Sequence, residues 1–113
     1  MYVPDRGHAV RMNFNLQAGH EQAGQGPVLV ISSALYNGRT GLVLCCPITS
    51  QIKGCPFEVK IEGNVLISGV ALSNQLKSLD WRVRGVKFIT VVDDSVLEEV
   101  VAKFEVLLRS EYA

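Results

Sequence analysis

The chain has 113 residues, 48% hydrophobic and 19% charged, with a formal net charge of +0 at pH 7. That length suits one domain, residues 1–113, whose core needs neither disulfides nor a metal, and the apolar content excludes a disordered chain. No apolar run reaches the ~18–20 residues of a membrane-spanning helix, and the opening Met1-Tyr2-Val3-Pro4-Asp5-Arg6 lacks the basic-then-apolar layout of a secretory signal, so a cytoplasmic setting with no membrane partner is expected.

Along the chain, Val10, Met12 and Phe14 alternate with Arg11 and Asn13, the pattern of a half-buried strand that His8 opens. Residues 15–26, rich in Gly, Gln and Ala, form the longest polar stretch, and a loop that long in a small domain points to function. Pro27 to Ile31 and Leu42 to Cys46 are continuous apolar runs, read as central strands buried on both sides, with a turn at Asn37-Gly38 between them. After a loop at Lys53-Gly54-Cys55-Pro56, Phe57, Val59 and Ile61 alternate with Glu58, Lys60 and Glu62 as far as a turn at Glu62-Gly63-Asn64. Gly69 to Ser73 and Val86 to Val92 are weaker strands, and Arg82 and Arg84 fall on one face of a further possible strand.

The period then changes. Leu97, Val100, Val101, Phe104 and Leu108 recur at helical spacing, Ser95 and Glu98 make a capping box, and Asp93, Asp94 and Glu99 suit the positive end of the helix dipole. One amphipathic helix from about 95 to 109 is expected, with Leu97, Val101 and Phe104 in the core. About six short strands at hairpin spacing, with little helix between them, predict a mainly β fold, an antiparallel and partly closed barrel.

The zero net charge hides an asymmetry. Residues 1–92 carry nine basic and five acidic side chains, whereas residues 93–113 carry two and six. A basic face for a nucleic acid is therefore compatible with overall neutrality. Cys45, Cys46 and Cys55 do not have the paired spacing of a zinc site, and Cys45 and Cys46, being adjacent, point to opposite faces of a strand as small hydrophobes. There is no phosphate-cradling Gly-Lys loop, nucleophile elbow or zinc-binding His-Glu motif. His20, beside Glu21 in the polar loop, has the chemistry of a general base, but loop histidines are mostly solvated and it is not taken as a site residue.

The segment from Glu21 through Gln22-Ala23-Gly24-Gln25-Gly26-Pro27 to Ser32 resembles the signature loop and second strand of the MazF/PemK toxins. Matching segments follow in order: Tyr36-Asn37 with Thr40-Gly41, Cys46-Pro47-Ile48-Thr49-Ser50-Gln51, Lys53-Gly54 with Pro56-Phe57-Glu58-Val59, Gly69-Val70-Ala71-Leu72, Asn74-Gln75-Leu76-Lys77-Ser78, and Asp80-Trp81-Arg82. The opening Tyr2-Val3-Pro4-Asp5 fits as well. The resemblance implies an SH3-like barrel with a C-terminal helix, a homodimer, and a MazE-type antitoxin that covers the RNA groove. It implies metal- and cofactor-independent cleavage of single-stranded RNA, usually mRNA, to 2′,3′-cyclic phosphate and 5′-hydroxyl ends.

In that chemistry the ribose 2′-hydroxyl is the nucleophile, and the protein moves protons and stabilises phosphoryl charge. The resemblance assigns these tasks to Thr49 and to an Arg just before the strand-opening Pro. Here that position is Gly26, which offers no charge or fork, so an impaired nuclease is expected. Gly26 fits a disarmed variant, a natural inactive relative, or a role taken over by Arg6, Arg82 or Arg84. Glu21 and Gln22 lie in the signature loop, Glu21 as a further catalytic candidate and Gln22 as an RNA contact. Gln75, Lys77 and Ser78 are candidates to read a base edge or meet a phosphate, and Arg82 and Arg84 to track the RNA backbone. Trp81 is read as packing. Two other functions fit less of the sequence: an RNA- or antitoxin-binding module without chemistry, and a gyrase poison like the CcdB toxins, whose tryptophan-containing tail has no counterpart in Leu107-Leu108-Arg109-Ser110-Glu111-Tyr112-Ala113.

Overall fold

Strands that are apolar on both faces need cover on both faces, and the computed structural model, which describes residues 1–13 and 25–109, shows how it is supplied. Among the described residues seven strands form one antiparallel sheet: β1 (His8–Asn13), β2 (Gln25–Val30), β3 (Leu42–Thr49), β4 (Glu58–Lys60), β5 (Val70–Leu72), β6 (Lys77–Asp80) and β7 (Val86–Val91). The spatial order is β4-β5-β3-β2-β1-β7, with β6 also on β3. β6 pairs with Leu42 to Cys45 and β5 with Ile48 and Thr49. Pro47, which has no N–H to give, lies where β3 changes partner. The curled sheet with its C-terminal helix is the SH3-like barrel fold expected.

Among the described residues three helices accompany the sheet: α1 (Ala34–Thr40), the single turn α2 (Trp81–Arg84) and α3 (Asp94–Arg109). α3 lies against one face, where Val96 and Val100 join Ala9, Leu29, Cys46, Ile48 and Val59. Burying each of those two valines contributes ~1.5–3 kcal/mol. The helix is turned from the expected orientation. Val96 and Val100 are buried, Leu97 and Phe104 are half-buried, and Val101 is 40% exposed. Spacing finds an apolar stripe but not which edge of a wide stripe meets the sheet. On the opposite face Val10, Met12, Val28, Val30, Val43, Cys45, Leu79 and Trp81 pack together, joined by Tyr2 and Val3. Cys45 and Cys46 thus serve opposite cores, as adjacency requires, and all three cysteines are free.

α1 replaces the turn expected at Asn37-Gly38. The Ser33 hydroxyl accepts from Tyr36 N, Gly41 closes the helix in the left-handed region at φ 76°, and the Asp5 carboxylate accepts from Ala34 N at 2.8 Å. Asn37 is fully buried: its side-chain amide donates to Pro4 O (2.8 Å) and Ser32 O (3.0 Å), and its main-chain carbonyl accepts from Trp81 Nε1 at 2.9 Å. One asparagine thereby joins the N-terminal segment, the β2–α1 junction and α2.

At the outer edge of the sheet, β7 shows Phe88 and Val91 to solvent. The Asn64 amide covers part of that edge, donating to Thr90 Oγ1 at 3.2 Å and Val91 O at 3.3 Å. Among the described residues no helix is long and apolar enough to cross a membrane.

Candidate active site

Strand register decides which candidates share a face, because alternate residues of a strand point to opposite sides. In the β2–β3 ladder Val28 pairs with Pro47 and Val30 with Cys45. That ladder ends at Val28 and Pro47, and alternation two residues further along each strand turns Gly26 and Thr49 to the same side. On the other side of β3, Cys45 pairs with Lys77. Gly26, Thr49, Cys45 and Lys77 therefore belong to the α2-covered face. Thr49 ends β3, half-buried, and its hydroxyl oxygen accepts from Gln51 N at 3.1 Å. That turn bond uses a lone pair and leaves the O–H to donate.

Arg84 closes the same face. It ends α2, and its Nη1 donates to Asn13 O at 3.3 Å. Asn13 pairs with Gln25, the neighbour of Gly26. Burial pushes the Cys45 thiol up to about 12, with the positive charges of Lys77 and Arg84 pulling the other way. Four residues of strand separate Cys45 from Thr49, about 13 Å.

Arg82 stands elsewhere. Arg82 and Arg84 lie on the single-turn helix α2 and not on a strand, because the Asp80 carboxylate accepts from Arg82 N and Val83 N and starts a helix there. The Arg82 guanidinium donates to Gly38 O and lies over the Trp81 ring, 5.1 Å from its centroid. Its anchorage, beside Gly41, is at the Leu42 end of β3, about 23 Å along the strand from Thr49. Arg6 is also at a far end: its Nε donates to Ile31 O at 2.9 Å, beyond β2, whereas Gly26 is near the start of that strand. Of the three arginines considered as substitutes for the missing one, Arg84 alone shares the strand end of Gly26.

Ser78 is exposed, and alternation along β6 turns it to the face opposite Lys77. Gln75 is exposed in the turn between β5 and β6, its N–H donating to Leu72 O at 3.0 Å. Trp81 is 5% exposed and packs in the core, as expected. His8 is half-buried between Tyr2 and Phe88, with ring centroids 5.8 and 5.1 Å away. Asp5 N approaches Nδ1 at 3.4 Å, and a backbone N–H only donates, so Nδ1 accepts and the Tyr2 hydroxyl donates to it at 2.8 Å. Phe14, His20, Glu21 and Gln22 lie outside the described residues. Asn13, which receives Arg84, gave no signal in the sequence because it acts through its carbonyl.

Residues 5–108 match the family model described as "PemK-like, MazF-like toxin of type II toxin-antitoxin system". The chain is 44% identical over 107 residues to the endoribonuclease toxin MazF of Escherichia coli, covering 95% of this chain and 96% of that protein. Among solved structures, MazF from Deinococcus radiodurans (Form-I) superposes with a TM-score of 0.90 at 49% identity, covering 97% of this chain and 100% of that one. A MazE–MazF structure from the same organism (Form-II) gives 0.86 at 43% identity, covering 98% and 100%.

Proposed function

Because the chain belongs to the PemK-like, MazF-like toxins of type II toxin–antitoxin systems, we propose that it is the toxin of such a pair, an endoribonuclease that cuts single-stranded RNA in the cytoplasm and is neutralised by a MazE-type antitoxin. Support for the activity comes from its similarity to endoribonucleases that it matches over nearly their whole length, and for the partner from its similarity to a toxin solved together with MazE. In the chemistry, the RNA supplies its own nucleophile: a 2′-hydroxyl attacks the adjacent phosphorus and the 5′-oxygen leaves, giving a 2′,3′-cyclic phosphate and a 5′-hydroxyl. The Thr49 hydroxyl donates to a phosphoryl oxygen as charge builds there. Lys77 and Arg84 hold flanking phosphates. Glu21 and Gln22 belong to the proposal as loop residues that contact the substrate, and Gln75 as an outer RNA contact; Ser78, on the opposite face of β6, and Arg82, fastened to Gly38 O and Trp81, do not. Two copies paired by a two-fold axis would join their grooves into a symmetric track that one antitoxin segment crosses.

The observation that supports this reading is a shared face: alternation along β2 and β3 turns Gly26 and Thr49 to the side of Cys45, whose register partner is Lys77, and Arg84 is bonded to Asn13, the partner of the residue before Gly26. The test is incubation with single-stranded RNA in EDTA. Cleavage products ending in 2′,3′-cyclic phosphate, and none when the scissile nucleotide is 2′-deoxy, are expected. Cleavage of the 2′-deoxy oligonucleotide would overturn the mechanism. A second reading, a module that binds RNA or antitoxin without chemistry, is favoured by Gly26 alone, where the family pattern has an Arg. Binding of the same RNA with no product from either the chain or its Gly26→Arg variant would establish it.

A further inference from the structure

Gly54 (φ +81°) and Gly63 (φ +70°) have nothing within 4 Å of where a Cβ would stand. At Gly41 the nearest obstacle is the far end of the Arg82 side chain, 2.9 Å away, which can move. Gly69 (φ +108°) is different in kind. A Cβ there would lie 2.2 Å from Thr49 O, 2.9 Å from Thr49 C and 3.0 Å from Ser50 Cα. These are main-chain atoms at the end of a paired strand, with no torsion of their own by which to swing aside. Gly69 is held from the other side too, its carbonyl accepting from Ile61 N at 3.0 Å. The residue after it, Val70, is the register partner of Thr49.

We infer that Gly69 is a positioning residue for Thr49: its bare Cα lets the start of β5 rest on the Thr49–Ser50 peptide, and that contact sets how the Thr49 hydroxyl is presented. The inference rests on the reading of Thr49 as a donor to the phosphoryl group. The link between backbone and hydroxyl is short, because the peptide that Gly69 touches leads directly into the turn in which Thr49 Oγ1 accepts from Gln51 N. A methyl group at 69 must tilt that peptide and carry the hydroxyl with it. Misplacing a reacting group by ~1 Å costs about 100-fold in rate. Lys77 and Arg84, held from β6 and α2, are untouched by such a tilt, so RNA affinity is expected to survive it.

The test is single-turnover cleavage of one RNA oligonucleotide in EDTA, with RNA affinity measured alongside, for the chain, Thr49→Ala, Gly69→Ala and the double variant. The same set in the Gly26→Arg background ensures that a slow parent does not hide the effect. Gly63→Ala is the control, carrying the same kind of positive-φ strain with open space around it. Gly69→Ala is expected to cleave about 100-fold more slowly with RNA affinity unchanged, and to add nothing to the loss caused by Thr49→Ala. A folded Gly69→Ala chain that cleaves as fast as Gly63→Ala, or one whose loss multiplies that of Thr49→Ala, overturns the inference. If Thr49→Ala leaves the rate unchanged, or neither background cleaves, the reading of Thr49 itself falls and the inference with it. Should Gly69→Ala fail to fold, a chain with D-alanine at 69 decides, made by ligating residues 1–54 to a synthetic segment that begins at Cys55. A D-residue is at ease at positive φ, and its methyl replaces the other hydrogen, away from Thr49 O. Its cleavage is expected to remain dependent on Thr49. A folded D-alanine chain without Thr49-dependent cleavage overturns the inference.

Discussion

Arg84 Nη1 donates to the carbonyl of Asn13 at 3.3 Å, tying the end of α2 to the end of β1 across 71 residues of sequence. The positive charge of the same side chain pulls the Cys45 thiol down. Arg82, two residues earlier, is fastened to Gly38 O and Trp81 at the far end of β3. Neighbours in sequence therefore serve different ends of the barrel.

That division predicts different phenotypes. Arg84→Ala is expected to weaken binding of single-stranded RNA and to lower the slope of log affinity against log salt by about 0.7, the share of one phosphate contact. Arg82→Ala is expected to leave that slope nearly unchanged and to lower the thermal midpoint instead. Salt titrations of RNA affinity, with melting curves for both variants, check this, and equal slopes in the two would refute the assignment.

The position before Pro27 predicts a gain. Gly26→Arg is expected to raise the rate of RNA cleavage in EDTA by ~10²–10³, the size of a phosphoryl-stabilising donor. Gly26→Lys should recover less, since a point charge does not copy a planar fork. Thr49→Ala should remove most of the gain, because both groups act on one phosphoryl group. Gly26 is buried beside Met12, so the melting temperature is measured with the rate. A folded Gly26→Arg chain no faster than the parent would remove the argument.

Asn37 predicts a stability loss with no change of chemistry. Asn37→Ala leaves Pro4 O, Ser32 O and the Ser32 hydroxyl without their buried partner, at a cost of about 2–4 kcal/mol. Urea unfolding should show a lower midpoint at an unchanged slope. A shift below ~0.5 kcal/mol, the level of an ordinary surface substitution, would show that water replaces the side chain without loss.

Alkaline pH should loosen the fold. Burial raises the Cys45 thiol from 9.0 to about 12 and pushes Cys46 up as well, and burial first, then Asp5, raise Tyr2 from 10.0 to about 12. Each folded value lies above its unfolded one, so the stability these groups contribute is complete below pH 9 and is lost as pH climbs toward 12. Unfolding free energies measured at intervals from pH 8 to 11 should fall, and less steeply in Cys46→Ala. A flat profile would contradict the burial of these groups.

The parts of the fold legible in the sequence are those where one physical signal dominates. Continuous apolar runs located β2 and β3, and the shift to helical spacing located α3. α1 was not legible, because Asn37-Gly38 is a strong turn signal locally. The bonds that override it come from nearby Ser32 and from Pro4 and Trp81, which are distant in sequence. The cap signals Ser33 and Gly41 were there to be read, but they bracket only seven residues. β6 was hidden because Lys77, Ser78 and Asp80 leave only Leu79 apolar and buried. Thr49 and Lys77 were legible as candidates through family resemblance, but their common face depends on register, which pairs residues that no local pattern connects. Gly69 figured only as the start of a weak strand and of a motif, since a missing Cβ has meaning only once the opposing main chain is known.

Trp81 is the chain's single tryptophan, and its indole is closed in by the Asn37 carbonyl on one side and the Arg82 guanidinium on the other. It begins the one helical turn that starts directly after β6 and ends at Arg84. Intrinsic fluorescence of this protein is consequently a single-site optical reporter on the seating of α2. A red-shifted or quenched emission would register the unseating of that turn and of the arginine it carries.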